Sequence, residues 1–250
     1  MDVGPDDDPA GGRVEPGANR PTAWQTATVV GLHDETPSAR TFRLSLPSPF
    51  IHRAGQHVVV RLRAPDGYTA SRSYSVASAP GDGSEIELTV ERLAEGEVSS
   101  FLHEEVVVGD ALEVRGPIGG WFVWDGRSPA LLVGGGSGVV PLMAMLRLAR
   151  AQGRVDQVRM VVSVRDPGAL YYADELPGPE TTVLYSRHGP PDDPRPVGRI
   201  RSEDLAGLTR GGVTPYVCGS SGFADAATDL LVGLGVAPDH IRVERFGPTQ

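Results

Sequence analysis

The sequence predicts a two-domain protein, with an antiparallel β-barrel followed by an α/β unit on a parallel sheet. Residues 21–125 carry short β-branched runs separated by turn residues. Residues 126–250 alternate strand-like and helix-like patterns. The change falls where an apolar run meets a cluster of glycines, LLVGGGSGVV at 131–140. A chain of 250 residues is long enough for two modest domains.

The elements follow in order. Residues 1–20 are Asp-, Gly- and Pro-rich with little apolar content, and read as a disordered tail. Strands are expected at 27–32, 40–46, 56–64, 71–77, 85–93 and 111–116. Several alternate with period two: Phe42, Leu44 and Leu46 share one face. Ile86, Leu88 and Val90 share another, with Glu85, Glu87 and Thr89 opposite. A brief helix is expected at 98–105. Short strands at this spacing fit a barrel or a sandwich. In the second half, strands are expected at 130–133, 158–164, 181–186, 215–219 and 241–246. Helices are expected from 139 to near Gly153, at 171–176, at 202–208 and at 223–235. Alternation of this kind gives a parallel sheet with helices on both faces.

Composition excludes several chemistries. The net charge of −9 argues against nucleic acid and anionic membranes as partners. The N-terminus has no apolar stretch of the signal-peptide kind, so a cytoplasmic protein is expected. A single cysteine, Cys218, leaves no iron–sulfur ligand set and no disulfide framework. The histidines show no metal-ligand spacing, and no metal is expected. All 23 basic residues are arginine. Without lysine there is no Schiff-base chemistry, and the glycine loop is not that of a nucleotide hydrolase.

The glycine loop itself reads as an anion site. It joins a strand to a helix N-terminus, where backbone N–H groups and the helix dipole favour negative charge. Gly134, Gly135, Gly136 and Gly138 remove Cβ atoms from the approach, Ser137 lies among them, and Pro141 suits the helix's first turn. Taken alone, the stretch is equally readable as a connection with no ligand.

The chain resembles the ferredoxin–NADP reductase-like flavoproteins over residues 22–248. RSYSV at 72–76 resembles the family's flavin-binding segment, and GEVSSFL at 96–102 its segment near the flavin pyrophosphate. GPIGGWF at 116–122 resembles the turn closing the barrel, and GGGSGVVP at 134–141 the nicotinamide loop. YVCGSSGF at 216–223 resembles the family's Cys-Gly segment, and ERFG at 244–247 its aromatic C-terminus. The motifs occur in the family's order.

That resemblance implies a flavin domain at 21–125 and a nicotinamide domain at 126–250. It implies that Arg72 pairs with flavin phosphate, Tyr74 lies against the isoalloxazine, and Ser75 bonds its redox-active nitrogen, with Val76 completing the segment. Guanidinium offers a planar fork of donors, and an aromatic ring an amphipathic wall. Gly96, Val98 and Ser99 would meet the pyrophosphate. Cys218 and Gly219 would lie near the nicotinamide's reactive carbon, and Phe246 would cover the flavin or contact the pocket. Four residues follow Phe246, unlike relatives that end on the aromatic. Ser186 and Arg187 stand where phosphate-preferring relatives carry Ser-Arg, and Arg165, Arg195 or Arg199 could add charge. NADPH is therefore favoured, with NADH possible. FAD rather than FMN rests on the resemblance.

The implied activity passes electrons from NAD(P)H through FAD to a separate protein, a ferredoxin or an oxygenase component. Two other activities remain open: reduction of a small acceptor (free flavin, ferric chelate or oxygen), and a non-catalytic flavin-binding electron-transfer subunit.

Overall fold

The computed structural model describes residues 23–247, so the expected tail at 1–20 lies outside the described residues. The first half forms β1 (Gln25–Thr36), β2 (Ala39–Ser45), β3 (His57–Arg63), β4 (Thr69–Ser75), β5 (Glu85–Glu91) and β6 (Ala111–Ile118). A helix, α1 (Glu97–Glu104), precedes β6. The strands make one antiparallel sheet in the order β4-β3-β6-β1-β2-β5. The sheet curls until its edges touch at one bridge, Val76 to Leu88. No continuous ladder joins β4 to β5, so the barrel stays open there.

Period-two alternation builds this sheet. Phe42 faces Leu88 and Leu44 faces Ile86 across β2 and β5. All four are at most 2% exposed. Burial of each such side chain stabilises by about 2 kcal/mol. Thr89, on the opposite face, is also buried. Alternation alone gives it to the outer face; the second half of the chain covers it.

The second half forms β7 (Ala130–Gly135), α2 (Val139–Ala151), β8 (Val158–Val164) and β9 (Thr181–Tyr185). It continues with α3 (Ser202–Leu205), β10 (Thr214–Ser220), α4 (Ser221–Gly233) and β11 (Arg242–Phe246). The parallel order is β11-β10-β7-β8-β9. Side chains of β7 alternate between two layers: Leu132 packs with α2, whereas Leu131 and Val133 pack with α4. A strand buried on both faces reads as an unbroken apolar run, as this one does.

The expected helix at 171–176 is absent. The segment is a chain of turns, with Tyr172 at φ 55. Both tyrosines are buried, and contacts with the barrel override local helix propensity. The helix expected at 202–208 shrinks to one turn.

Helix α2 is buried almost all round, from Val139 to Leu146. Its core takes in Ala39, Ala54, Ala77, Phe122 and Trp124 from the barrel side. The helix is thus packed between the parallel sheet and the barrel, and its apolar character matches that position.

Candidate functional site

The parallel sheet positions most of the expected second-half residues at one edge. The chain runs outward through β7, β8 and β9, then crosses back to place β10 on the other side of β7. Ligands of such sheets bind where the order reverses, beyond the carboxyl ends of the strands. Gly134 pairs with Cys218 there, and Gly135 pairs with Ser163. Ser220 pairs with Phe246 at the end of β11. Ser186 N–H donates to the Val164 carbonyl at 2.8 Å, and Arg187 N–H to the Arg165 carbonyl at 2.9 Å. The loop glycines, Ser137, Arg165, Ser186, Arg187, Cys218, Gly219 and Phe246 therefore share one rim.

The glycines divide by task. A Cβ on Gly138 would lie 2.2 Å from the Cys218 carbonyl oxygen, and one on Gly135 would lie 2.5 Å from the Phe223 ring. One on Gly134 would meet Leu142 at 3.1 Å. These three allow α2, β10 and α4 to pack closely. Gly136 differs: φ is 55 and the space before it is open. It leaves the loop open on that side. A short 3-10 turn, Gly136–Gly138, leads directly into α2. Pro141 lies in the first turn of α2, where no backbone donor is lost.

Cys218 is fully buried. Burial, with the Glu244 carboxylate beside it, pushes its thiol well above the ordinary range. It is a neutral packing group, not a thiolate nucleophile. Glu244 pairs with it in register. Burial raises the Glu244 carboxyl to about 7. Glu244 begins the ERFG segment, in which the resemblance assigns a role to Phe246 alone. The signal was present: an acidic residue inside an otherwise half-buried strand, next to the cysteine's strand.

Arg195 is not available as an anion donor. Its guanidinium makes two 2.7 Å bonds to Asp204 and further bonds to the carbonyls of Arg199 and Gly198. It braces the loop after β9. Arg165, Arg187 and Arg199 are exposed and make no ion pair with another described residue.

On the barrel, two expected motifs come together. The Arg72 charge acts on Tyr74 and on Tyr68. The Tyr68 hydroxyl donates to Glu97 at 3.1 Å, at the start of α1. The strand bearing Arg72 therefore lies beside the helix that begins after Gly96. Arg72 is exposed and bonds only the Ser71 carbonyl among the described residues. Tyr74 is half-buried, and burial pushes its hydroxyl up to about 12. Ser75 is 6% exposed, and its hydroxyl bonds no other described residue. Val76 is buried and holds the bridge to Leu88.

Ser99 turns its hydroxyl into its own loop, at the helix start where its motif implies a pyrophosphate. Its hydroxyl accepts from Leu93 N–H at 3.2 Å and donates to the Gly96 carbonyl at 3.1 Å. A Cβ on Gly96 would lie 2.3 Å from that oxygen. The free donors are instead the first-turn N–H groups of α1, including those of Val98 and Ser99. A guanidinium with no ion pair among the described residues, a nearby serine and a helix N-terminus fit a dinucleotide phosphate with an aromatic ring system beside Tyr74. The open space at Gly136 fits a second phosphate-bearing ligand.

The halves meet through α2. Arg147 Nη1 donates to the Ala77 carbonyl at 3.0 Å and to Glu87 at 2.7 Å. Ala77 stands two residues beyond Ser75. One interface thus joins the strand bearing Arg72, Tyr74 and Ser75 to the helix that follows the glycine loop.

Fold and site define a class: a two-domain protein whose barrel carries an exposed arginine beside a helix N-terminus and whose parallel sheet carries an open glycine loop, packed together through α2. Residues 26–123 match the model of the oxidoreductase FAD-binding domain. The reductase component, ferredoxin–NAD(P)(+), of the naphthalene 1,2-dioxygenase system of Pseudomonas putida is 29% identical over 231 residues. The alignment covers 88% of this chain and 68% of that protein. A flavohemoprotein of Chromobacterium violaceum is 36% identical over 90% of this chain, which spans 61% of that relative. The flavohem-like FAD/NAD binding domain of nitric oxide dioxygenase from Vibrio cholerae has the same fold, with a TM-score of 0.80 at 23% identity. That alignment covers 92% of this chain and all of that one (100%). The chain therefore carries an oxidoreductase FAD-binding domain, and over most of its length it is similar to reductases of the ferredoxin–NADP reductase-like kind. No helix among the described residues is long and apolar enough to cross a membrane.

Proposed function

We propose that this protein takes electrons from NADPH, and less readily from NADH, and passes them through FAD to a separate protein, a ferredoxin or an oxygenase component. The observation that carries this reading is the Arg147–Ala77 bond, which sets the flavin-type strand against the helix of the glycine loop. The acceptor is drawn from the likeness to the ferredoxin–NAD(P)(+) reductase component of the naphthalene 1,2-dioxygenase system. Within this sequence a single cysteine leaves no iron–sulfur relay of the four-cysteine kind.

Bound FAD supplies the conversion between two-electron and one-electron chemistry. The chain's own residues bind and orient. Residues 21–125 hold the flavin: Arg72 and the first turn of α1, at Val98 and Ser99, neutralise its phosphates. Tyr74 forms a wall beside the rings, and the Ser75 hydroxyl donates to the ring system. Residues 126–250 hold the nicotinamide nucleotide. Its pyrophosphate meets the backbone at Gly136–Gly138, and Cys218 with Gly219 forms a water-poor floor. Phe246 closes the side of that floor. Glu244, neutral at low pH and charged at high pH, holds a proton at the edge of the pocket. Arg187 and Arg165 form a paired guanidinium site for a 2′-phosphate, with Ser186 as an added donor. The bare-surface character of both arginines supports that reading.

The test is anaerobic mixing of FAD-loaded protein with NADPH and NADH in parallel, followed at the flavin absorbance. Bleaching, faster with NADPH, is expected. A protein that takes up no flavin, or whose flavin neither nucleotide reduces, overturns the proposal. Turnover undiminished without any protein acceptor would reassign the acceptor to a small molecule.

A further inference from the structure

Tyr172 is the one non-glycine residue at positive φ among the described residues. That conformation is strained for an L-residue and persists where the surroundings over-determine it. Here the surroundings belong to the other domain. The Tyr172 amide donates to Glu35 Oε2 at 2.8 Å, and its hydroxyl donates to Thr89 Oγ1 at 2.6 Å. Glu35 and Thr89 are themselves tied: Thr41 donates to Glu35 Oε1 at 2.6 Å and shares a 2.7 Å bond with Thr89. The Arg147 guanidinium lies 5.1 Å from the Tyr172 ring centroid. It also bonds the barrel at Glu87 and Ala77, and bonds Glu175 on the same turn as Tyr172.

We propose that Arg147 and Tyr172 are positioning residues, which register the nicotinamide-side sheet against the flavin-side barrel for hydride transfer. This rests on the function proposed above. Apolar packing of α2 against Ala54, Ala77 and Phe122 has no direction and tolerates sliding. Hydrogen bonds to fixed carbonyl and carboxylate atoms do not. The two anchors act at different points. Arg147 holds the segment just beyond Ser75 to the helix that starts at the glycine loop. Tyr172 holds the turn after β8 to β1 and β5. Two separated anchors fix rotation as well as distance. A misplacement of about 1 Å costs hydride transfer up to ~10²-fold.

The test uses full-length, FAD-loaded protein carrying Tyr172→Phe, Arg147→Met or Arg147→Lys. Tyr172→Phe keeps the ring and loses only the hydroxyl bond. Single-turnover reduction over a range of NADPH concentrations separates the limiting rate from nucleotide affinity. The limiting rate is expected to fall about 10-fold or more in Arg147→Met and about 3-fold or more in Tyr172→Phe. Affinity for NADPH and FAD content should change less than about 2-fold, and Arg147→Lys should recover part of the rate. A second readout needs no turnover: hydrogen exchange in segments 72–77 and 134–141 should quicken in both losing variants. Variants that merely melt earlier, while keeping the wild-type limiting rate and exchange, overturn the proposal. If Arg147→Met does not fold, Tyr172→Phe and Glu87→Gln decide it by the same readouts. If the unmodified protein is not reduced by either nucleotide, the function above fails. The exchange data then decide the interface role by themselves.

Discussion

Gly138 sits so close to Cys218 that an added Cβ would lie 2.2 Å from the Cys218 carbonyl oxygen. That contact presses the first turn of α2 against the end of β10, where the sheet order reverses. The crevice proposed to take the nucleotide is shaped by this approach. Gly138→Ala should therefore destabilise the fold by about 2–4 kcal/mol, because a backbone atom must move. Gly136→Ala should cost only about 1 kcal/mol, the strain of a left-handed alanine, since the space before it is open. Its main effect should be on nucleotide binding. Thermal unfolding and NADPH titration of the two variants, side by side, check this. Equal loss of stability in both would refute the division of tasks among the glycines.

Charge reversal at Arg187 tests cofactor choice. Arg187→Glu should weaken NADPH about 10-fold or more and leave NADH within about 2-fold, since only NADPH carries the 2′-phosphate. Binding constants for both nucleotides, measured on the FAD-loaded variant, decide it. Equal weakening of the two would remove Arg187 from the 2′-phosphate site.

Arg72→Ala should yield protein that folds but purifies with little flavin. Arg72 makes no ion pair with another described residue, so its loss should change stability by less than about 0.5 kcal/mol. Flavin affinity should fall about 10-fold or more through the lost charge-assisted bonds. Flavin content and a melting curve give the answer. Full occupancy at wild-type affinity would contradict the assignment.

Glu244 gives a pH prediction. Its folded-state value of about 7 lies above the ordinary 4.5, because burial penalises the charged form. Between those values the unfolded chain is ionised while the folded chain keeps its proton. Folding stability should therefore fall as pH rises from about 4.5 to about 7, then level off as far as this group is concerned. The drop should be roughly 2 kcal/mol after allowance for solvent screening. Glu244→Gln should flatten that window. Denaturant unfolding of both proteins at several pH values measures it, and identical pH profiles would rule the effect out.

Much of this protein was legible in its sequence. Ile86, Leu88 and Val90 alternate because one face of β5 meets a core, and the structure buries all three. The run from Ala130 to Val133 is apolar throughout because β7 is covered on both faces. The rim of Gly136, Arg187, Cys218 and Phe246 follows from parallel strands, which bring every carboxyl end to one edge. These are local regularities of period and turn, and a single chain segment carries each of them.

What the tertiary structure decided lies where segments far apart in sequence meet. Residues 171–176 have a helical composition but form turns, because Tyr172 bonds Thr89 and Glu35 across the interface. Thr89 stands on the outward face of its strand and is buried by that same tyrosine. Ser99 turns its hydroxyl into its own loop, and Arg195 is spent on Asp204. Glu244 gains its raised value only from burial beside Cys218. Sequence by itself determined the two sheets and the edge on which a nucleotide would lie. Only the packed interface decided which polar groups remain free to bind and how the two sheets are held. The reason is physical: periodicity is set by a residue's neighbours in the chain, whereas a hydrogen bond or a buried charge is set by its neighbours in space.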